Sequence, residues 1–179
     1  EGYLDLFSEL TATEFESLCG KVVDLLQVDE ANVTRASADQ GIDFYGKLSL
    51  GPLIKPAEIL PGAEKNLRVW LVGQAKHYKK TTVSTKDIRE LVGSVELAKA
   101  KVFAGSTDPL QNLELKLCDP IVFLFITTGR FTRDSRDLLR KSGVVSMDGV
   151  QLSVFLADKK AAQEDGELAL DALRTWIAE

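Results

Sequence analysis

The sequence predicts an α/β domain, a mixed β-sheet with helices on both faces. Three observations predict it. A capped, amphipathic helix is written into residues 11–27. Two strong apolar strands stand at 68–78 and 120–128. Stretches with helical periodicity separate and follow them.

Taken in order, Thr11-Ala12-Thr13-Glu14 reads as a capping box, a hydroxyl for an orphan N–H and a carboxylate reaching back. Phe15, Leu18, Cys19, Val22, Leu25 and Leu26 recur at helical spacing, and Glu16 borders that apolar stripe. A short strand is expected at 33–37 and a second at 42–45, after a turn that Gly41 permits. Residues 51–66 hold three prolines and two glycines and read as a long connection. The strand at 68–78 is followed by a polar loop at 79–84. Thr85 can cap a helix to about residue 104, with Ile88, Leu91, Val92 and Val95 inward.

Residues 105–119 read as irregular. The near-continuous apolar run at 120–128 is what a strand covered on both faces requires. Thr132 or Asp134 can open a helix that Ser142-Gly143 stops, a short strand follows at 144–147, and 166–178 form a last amphipathic helix. Residues 150–157 fit helix or strand, and the helix is favoured.

The length of 179 residues suits one domain, with its core at about 11–158 and the final helix at 166–178. Apolar residues make up 45% and charged residues 27%, an ordinary globular composition. No apolar run approaches a membrane span and no secretory leader is visible, so a cytoplasmic protein with no membrane partner is expected. The chain opens on Glu1 rather than Met, which predicts a piece of a longer protein with a further domain before it. Cys19 and Cys118 read as buried thiols in a reducing compartment. With one histidine and two scattered cysteines, a structural zinc site is not expected.

The net charge of -5 argues against nucleic acid until its distribution is read. Residues 1–30 carry -7 and residues 158–179 carry -3, so the middle is positive. Residues 76–89 hold five Lys or Arg against one acid, and residues 130–141 hold five against two. A local basic face can bind phosphates on an acidic chain because screening limits distant charges. Lys79, Lys80, Lys86, Arg89, Arg130 and Arg133 are the candidate DNA-backbone contacts.

Four residues stand out as a possible reaction centre. Gln74 and Lys76 lie two apart on one strand and share a face, while Ala75 points into the core. Polar groups projecting from an apolar strand are costly unless they serve a site or find partners. If the strand at 42–45 is its hairpin neighbour, Asp43 sits beside them, and the first helix can bring Glu16 to the same spot. Such a set suits phosphodiester hydrolysis: carboxylates for a cation, and a lysine to orient water or offset charge. Read singly, Glu16 could be a solvated helix acid, Asp43 a turn cap, Lys76 a snorkelling surface residue and Gln74 a backbone partner. Asp43 and Lys76 are expected to face a cleft, where truncation leaves the fold intact. His77, on the opposite face from Lys76, reads as a surface or phosphate contact.

Asp43 followed by Gln74-Ala75-Lys76 resembles the PD-(D/E)xK nuclease signature in a QxK form. Phe15-Glu16, the run 39–43, residues 74–78, residues 88–94, residues 126–132 and residues 147–152 together resemble the Mrr-like restriction endonuclease catalytic domain. The resemblance spans about residues 13–157. It implies a restriction-endonuclease-like core and Mg²⁺-dependent hydrolysis of DNA in restriction or anti-phage defence, with Mn²⁺ as the other cation such a site accepts. It makes Asp43 a metal ligand and Lys76 the catalytic lysine. Gln74 then ligates through its amide oxygen, and Glu16 supplies the second carboxylate. The 51–66 connection is longer than usual for the family, and Gln40 stands where glycine is common. The alternatives are a DNA-binding or oligomeric effector module on the same fold with weak or no catalysis. The expected partners are DNA, a separate recognition or sensor domain and, in the effector reading, further copies of the chain.

Overall fold

The computed structural model describes residues 2–34, 41–48, 68–79, 81–102, 110, 112–164 and 167–178. The expected connection at 51–66, together with Asp39, Gln40 and Lys80, lies outside them. Helix α1 (Tyr3–Glu9) precedes the helix the sequence announces. It is too short for a legible repeat, yet it buries Tyr3, Leu6 and Phe7, and the Tyr3 hydroxyl donates to the Ala161 carbonyl. Helix α2 (Ala12–Leu25) begins at the expected capping box: Thr11 Oγ1 accepts from Glu14 N at 3.2 Å, and Glu14 accepts from Thr11 N at 2.7 Å.

The first described strand, β1 (Val28–Val33), follows directly on the turn at Gln27, whose φ is 58°, and shares only Val33 with the strand expected at 33–37, of which residues 35–37 lie outside the described residues. It pairs antiparallel with β2 (Phe44–Leu48), which begins two residues later than expected. Next come β3 (Val69–Lys76), a two-residue β4 (Thr82–Val83), α3 (Thr85–Lys99) and β5 (Ile121–Thr127). A two-residue β6 (Arg130–Phe131), α4 (Arg133–Ser142) and β7 (Val145–Met147) follow. The chain closes with α5 (Gly149–Asp158), a hairpin of β8 (Gln163–Glu164) and β9 (Glu167–Leu168), and α6 (Leu170–Ala178). The ambiguous segment at 150–157 is therefore helical, opened by the Asp148 carboxylate on the N–H groups of Val150 and Gln151.

The main sheet has the order β1-β2-β3-β5-β7. β2 pairs antiparallel with β1 and β3, whereas β3, β5 and β7 run parallel, joined by crossovers through α3 and α4. The sheet is mixed, with helices on both faces, as its sequence predicts. On one face Phe44, Leu71, Ala75, Leu124 and Ile126 pack with Phe15, Leu18 and Val22 of α2. On the other, Tyr45, Trp70, Val72 and Phe125 pack with Ile88, Leu91 and Val95 of α3. Strand alternation therefore places Gln74 and Lys76 on the α3 side. At Gly73 there is no room for a side chain, because a Cβ would meet the Phe44 ring at 2.2 Å and the Leu124 carbonyl oxygen at 2.4 Å. No helix among the described residues is long and apolar enough to cross a membrane. Cys19 is buried as expected, but Cys118 is exposed, because it lies in the turn before β5 rather than in the strand.

Candidate active site

The ends of β2 and β3 bring three of the four expected residues together. Phe44 is registered with Gly73, and Asp43 continues that ladder by donating its N–H to the Gly73 carbonyl at 2.9 Å. Its carboxylate turns across the strand end, where Oδ2 accepts from Ala75 N at 2.7 Å. The Asp43 carboxylate is thereby fixed beside the peptide that joins Gln74 to Lys76.

Gln74 is 0% exposed, and neither side-chain amide atom has a hydrogen-bond partner among the described residues. Leaving both atoms of a buried amide unmatched is expensive. Its surroundings are narrow. Gly41 adopts φ 71°, and a Cβ there would stand 2.5 Å from Ser94 Oγ and 3.5 Å from Gln74 Nε2. Gly41 thus admits both the turn and the close approach of Ser94 and Gln74.

Lys76 is half-buried, with Nζ 3.6 Å from Glu90 Oε1 of α3. The Thr127 hydroxyl donates to the Lys76 carbonyl at 2.7 Å and accepts from Gly129 N at 3.0 Å, fixing the turn after β5 against the end of β3. Tyr78, two residues on, donates its hydroxyl to Asp87 Oδ1 at 2.9 Å. Burial first, and then that bond to Asp87, push the tyrosine pKa up to about 12.

Glu16 approaches from the opposite side of the sheet, on α2, and is half-buried. Burial pushes the buried Cys19 thiol well up, and the charges of Asp43 and Glu16 push it further. Among the described residues no three His, Cys, Asp or Glu side chains are grouped so as to hold a metal ion. A cation here would rest on the carboxylates of Asp43 and Glu16 and on the amide oxygen of Gln74. The buried, unmatched Gln74 amide fits that role.

His77 does not project as a surface contact. Its Nε2 lies 3.0 Å from the Leu10 carbonyl, its Nδ1 3.0 Å from the Thr128 hydroxyl, and its ring 5.4 Å from that of Phe15. A carbonyl can only accept, so Nε2 carries the hydrogen and the neutral ring accepts at Nδ1. The residue ties the α1–α2 corner to the sheet. Burial holds its pKa below the usual value, with Lys79 acting in the same direction and the Leu10 bond opposing.

The expected basic residues Lys79, Lys86, Arg89, Arg130 and Arg133 are all exposed. β4 and β6 pair in parallel, with Thr82 opposite Arg130 and Val83 opposite Phe131, which brings the segments after β3 and after β5 side by side. Ser135 Oγ reinforces the join by donating to the Val83 carbonyl at 2.8 Å. Arg133, Arg136 and Arg140, with Asp134 and Asp137, line an open groove of about 550 Å³ along α4. Glu90 and Ser94, which lie in the 88–94 stretch of the family resemblance, and Asp87 carry no role expected from the sequence. Asp87 and Glu90 lie three apart beside the inward stripe of Ile88 and Leu91, a spacing that puts both on one helix face.

The family model of the Mrr catalytic domain, described as a restriction endonuclease, matches residues 7–104. No curated protein sequence is significantly similar to the chain. Two solved structures share its fold. The MspJI restriction endonuclease, in complex with a 27-mer oligonucleotide, aligns with a TM-score of 0.55 and 21% identity over 93% of this chain and 32% of its own. The DNA modification-dependent restriction endonuclease AspBHI aligns with a TM-score of 0.59 and 16% identity over 98% of this chain and 38% of its own. The chain thus spans about a third of the length of the structures it matches.

Proposed function

The chain belongs to the Mrr-type restriction endonuclease family, and from that premise we propose that it hydrolyses DNA phosphodiester bonds with the help of a divalent cation. The observation that carries this reading is the hydrogen bond from Ala75 N to Asp43, which fixes a carboxylate against the Gln74–Lys76 pair.

In this reading Asp43, Glu16 and Gln74 hold the cation, Mg²⁺ or Mn²⁺. Such an ion, when bound, polarises a phosphoryl oxygen and lowers the pKa of a coordinated water. Two carboxylates and a neutral amide suit a hard cation that keeps several waters. Lys76, on the same face as Gln74, offsets the negative charge that builds on the scissile phosphate. Lys79, Lys80, Lys86, Arg89, Arg130 and Arg133 hold the duplex by its backbone, which positions DNA without reading its sequence. Sequence choice then belongs to a separate recognition domain, and the biological setting is restriction of foreign DNA in the cytoplasm.

The test is incubation of plasmid DNA with the chain, with and without Mg²⁺ or Mn²⁺, beside Lys76→Ala. Cation-dependent nicking that Lys76→Ala abolishes supports the proposal. DNA binding without cleavage under every cation favours a binding module on the same fold.

A further inference from the structure

On the α3 side of β3, Lys76 faces two acids, Asp87 and Glu90, that the reaction above leaves unused. Tyr78 shares the face of Lys76, two residues away. Its hydroxyl is held by Asp87 at 2.9 Å, and Asp87 is itself locked, because its Oδ2 accepts Ser84 N at 2.7 Å and Ser84 Oγ at 2.8 Å. Burial works to raise the Asp87 pKa, but the Ser84 and Tyr78 bonds and the nearby Lys76 charge outweigh it and hold the carboxyl low. Glu90 follows one turn later on the same helix face, and its Oε1 reaches to 3.6 Å from Lys76 Nζ. Lys76 therefore stands before a helix whose first turns present two carboxylates, one locked by a cap and one directed at the ammonium.

We propose that Glu90 is a positioning residue for Lys76, holding the ammonium on the α3 side of the strand within reach of the Asp43–Gln74 corner. This rests on the reading of Lys76 as the catalytic lysine. A lysine has a four-carbon stem with many rotamers, and holding it in one place costs entropy. A partly exposed ion pair contributes little to stability, so the pairing matters through geometry rather than through folding. Lys76 is 25% exposed and Glu90 41%, so the pair sits at the rim, where substrate would meet the lysine already in place. Glu90 itself touches no reacting atom in this scheme. It acts through Lys76, and a misplacement of about 1 Å in such a group can lower a rate by roughly a hundredfold.

The experiment compares wild type with Glu90→Ala, Glu90→Gln and Glu90→Asp in two assays on the whole chain. One is the rate at which an N-hydroxysuccinimide ester acylates Lys76, followed by mass spectrometry. The other is plasmid cleavage at varied DNA and Mg²⁺. The expected result is Lys76 acylation several-fold faster in Glu90→Ala, with kcat lower by about ten- to a hundredfold. KM and the Mg²⁺ concentration for half-maximal rate should stay within about twofold, and Glu90→Asp should recover part of kcat. Unchanged acylation in an active wild type overturns the proposal and leaves the nuclease reading standing. Faster acylation in Glu90→Ala of a wild type that cuts no DNA supports the ion pair and overturns the nuclease reading alone. A kcat loss that extra Mg²⁺ restores makes Glu90 a ligand and overturns positioning. Tighter DNA binding with faster cleavage does the same, by showing an acid that merely repels the substrate.

Discussion

The carboxylate of Asp43 accepts the backbone N–H of Ala75 at 2.7 Å, so the acid and the Gln74–Lys76 segment are one mechanical unit. The sequence alone suggests that truncation at Asp43 is harmless to the fold, and this bond predicts otherwise. Asp43→Ala should cost about 1–3 kcal/mol, the penalty for leaving a donor without its partner. Asp43→Asn keeps an accepting oxygen and should stay near wild-type stability. Both should lose cleavage. Urea denaturation beside plasmid nicking checks the pair, and equal stability for the two variants would show that the Ala75 bond is unimportant.

Gln74 is predicted to lower the stability of the chain for the sake of its site. Gln74→Leu removes two buried polar atoms that have no partner among the described residues, and should raise stability by about 1–3 kcal/mol while abolishing cleavage. Gln74→Glu should do the reverse in the absence of metal, because a buried carboxylate is poorly solvated. With Mg²⁺ or Mn²⁺ it should gain a larger rise in Tm than wild type, since ligand binding stabilises the state that binds. Thermal scans with and without each cation read both effects. A Gln74→Leu variant that is less stable than wild type would show that the amide has a partner after all.

Binding to DNA should be weak, salt-sensitive and largely indifferent to sequence. Lys86 and Arg130 stand on the two segments that β4 and β6 bring together. Replacing both with Ala should lower the slope of log affinity against log salt by roughly two, about 0.9 for each phosphate that is no longer neutralised. Fluorescence anisotropy over a salt series measures it. An unchanged slope would place the duplex elsewhere.

His77 predicts a fall in stability on mild acidification. Burial holds its folded pKa below the unfolded value of about 6.5, so the fold favours the neutral ring. The unfolded chain binds the proton first. The stability contributed by His77 is complete above about pH 6.5 and is lost as pH falls towards the folded pKa. Tm should drop between pH 7.5 and 5.5, and His77→Gln should flatten that drop. Asp87 titrates in a lower range and does not confuse the window. An identical pH profile for the variant would remove His77 as the cause.

Much of this architecture is legible in the chain because it rests on local rules. The Thr11 capping box, the apolar run of β5 and the two-residue spacing of Gln74 and Lys76 each follow from periodicity and hydrogen-bond chemistry. The parts that were not legible depend on packing between distant segments. Helix α1 has seven residues, too few for a pattern, and is defined by what it buries. β4 and β6 are two residues each and exist as strands only because they pair. Gln74 reads in the sequence as a site residue sharing a face with Lys76, and nothing in its neighbours along the chain foretells its complete burial. His77 was placed on the correct face by alternation, but the α1–α2 corner that receives it comes from residues far away in sequence.

The parallel join of β4 and β6 sets two helices off from one starting line, α3 behind Ser84 and α4 behind Thr132. Their amino-terminal poles, each equivalent to roughly half a positive charge, are thereby placed as neighbours of like sign. Asp87 and Asp134, in the two first turns, are the local counterweights, each worth about 0.3–1 kcal/mol at low ionic strength. Added salt, with a Debye length of about 8 Å at physiological strength, quiets the repulsion between the poles while it weakens the hold on phosphates. The rim of the cleft should therefore tighten under the same conditions that loosen its substrate.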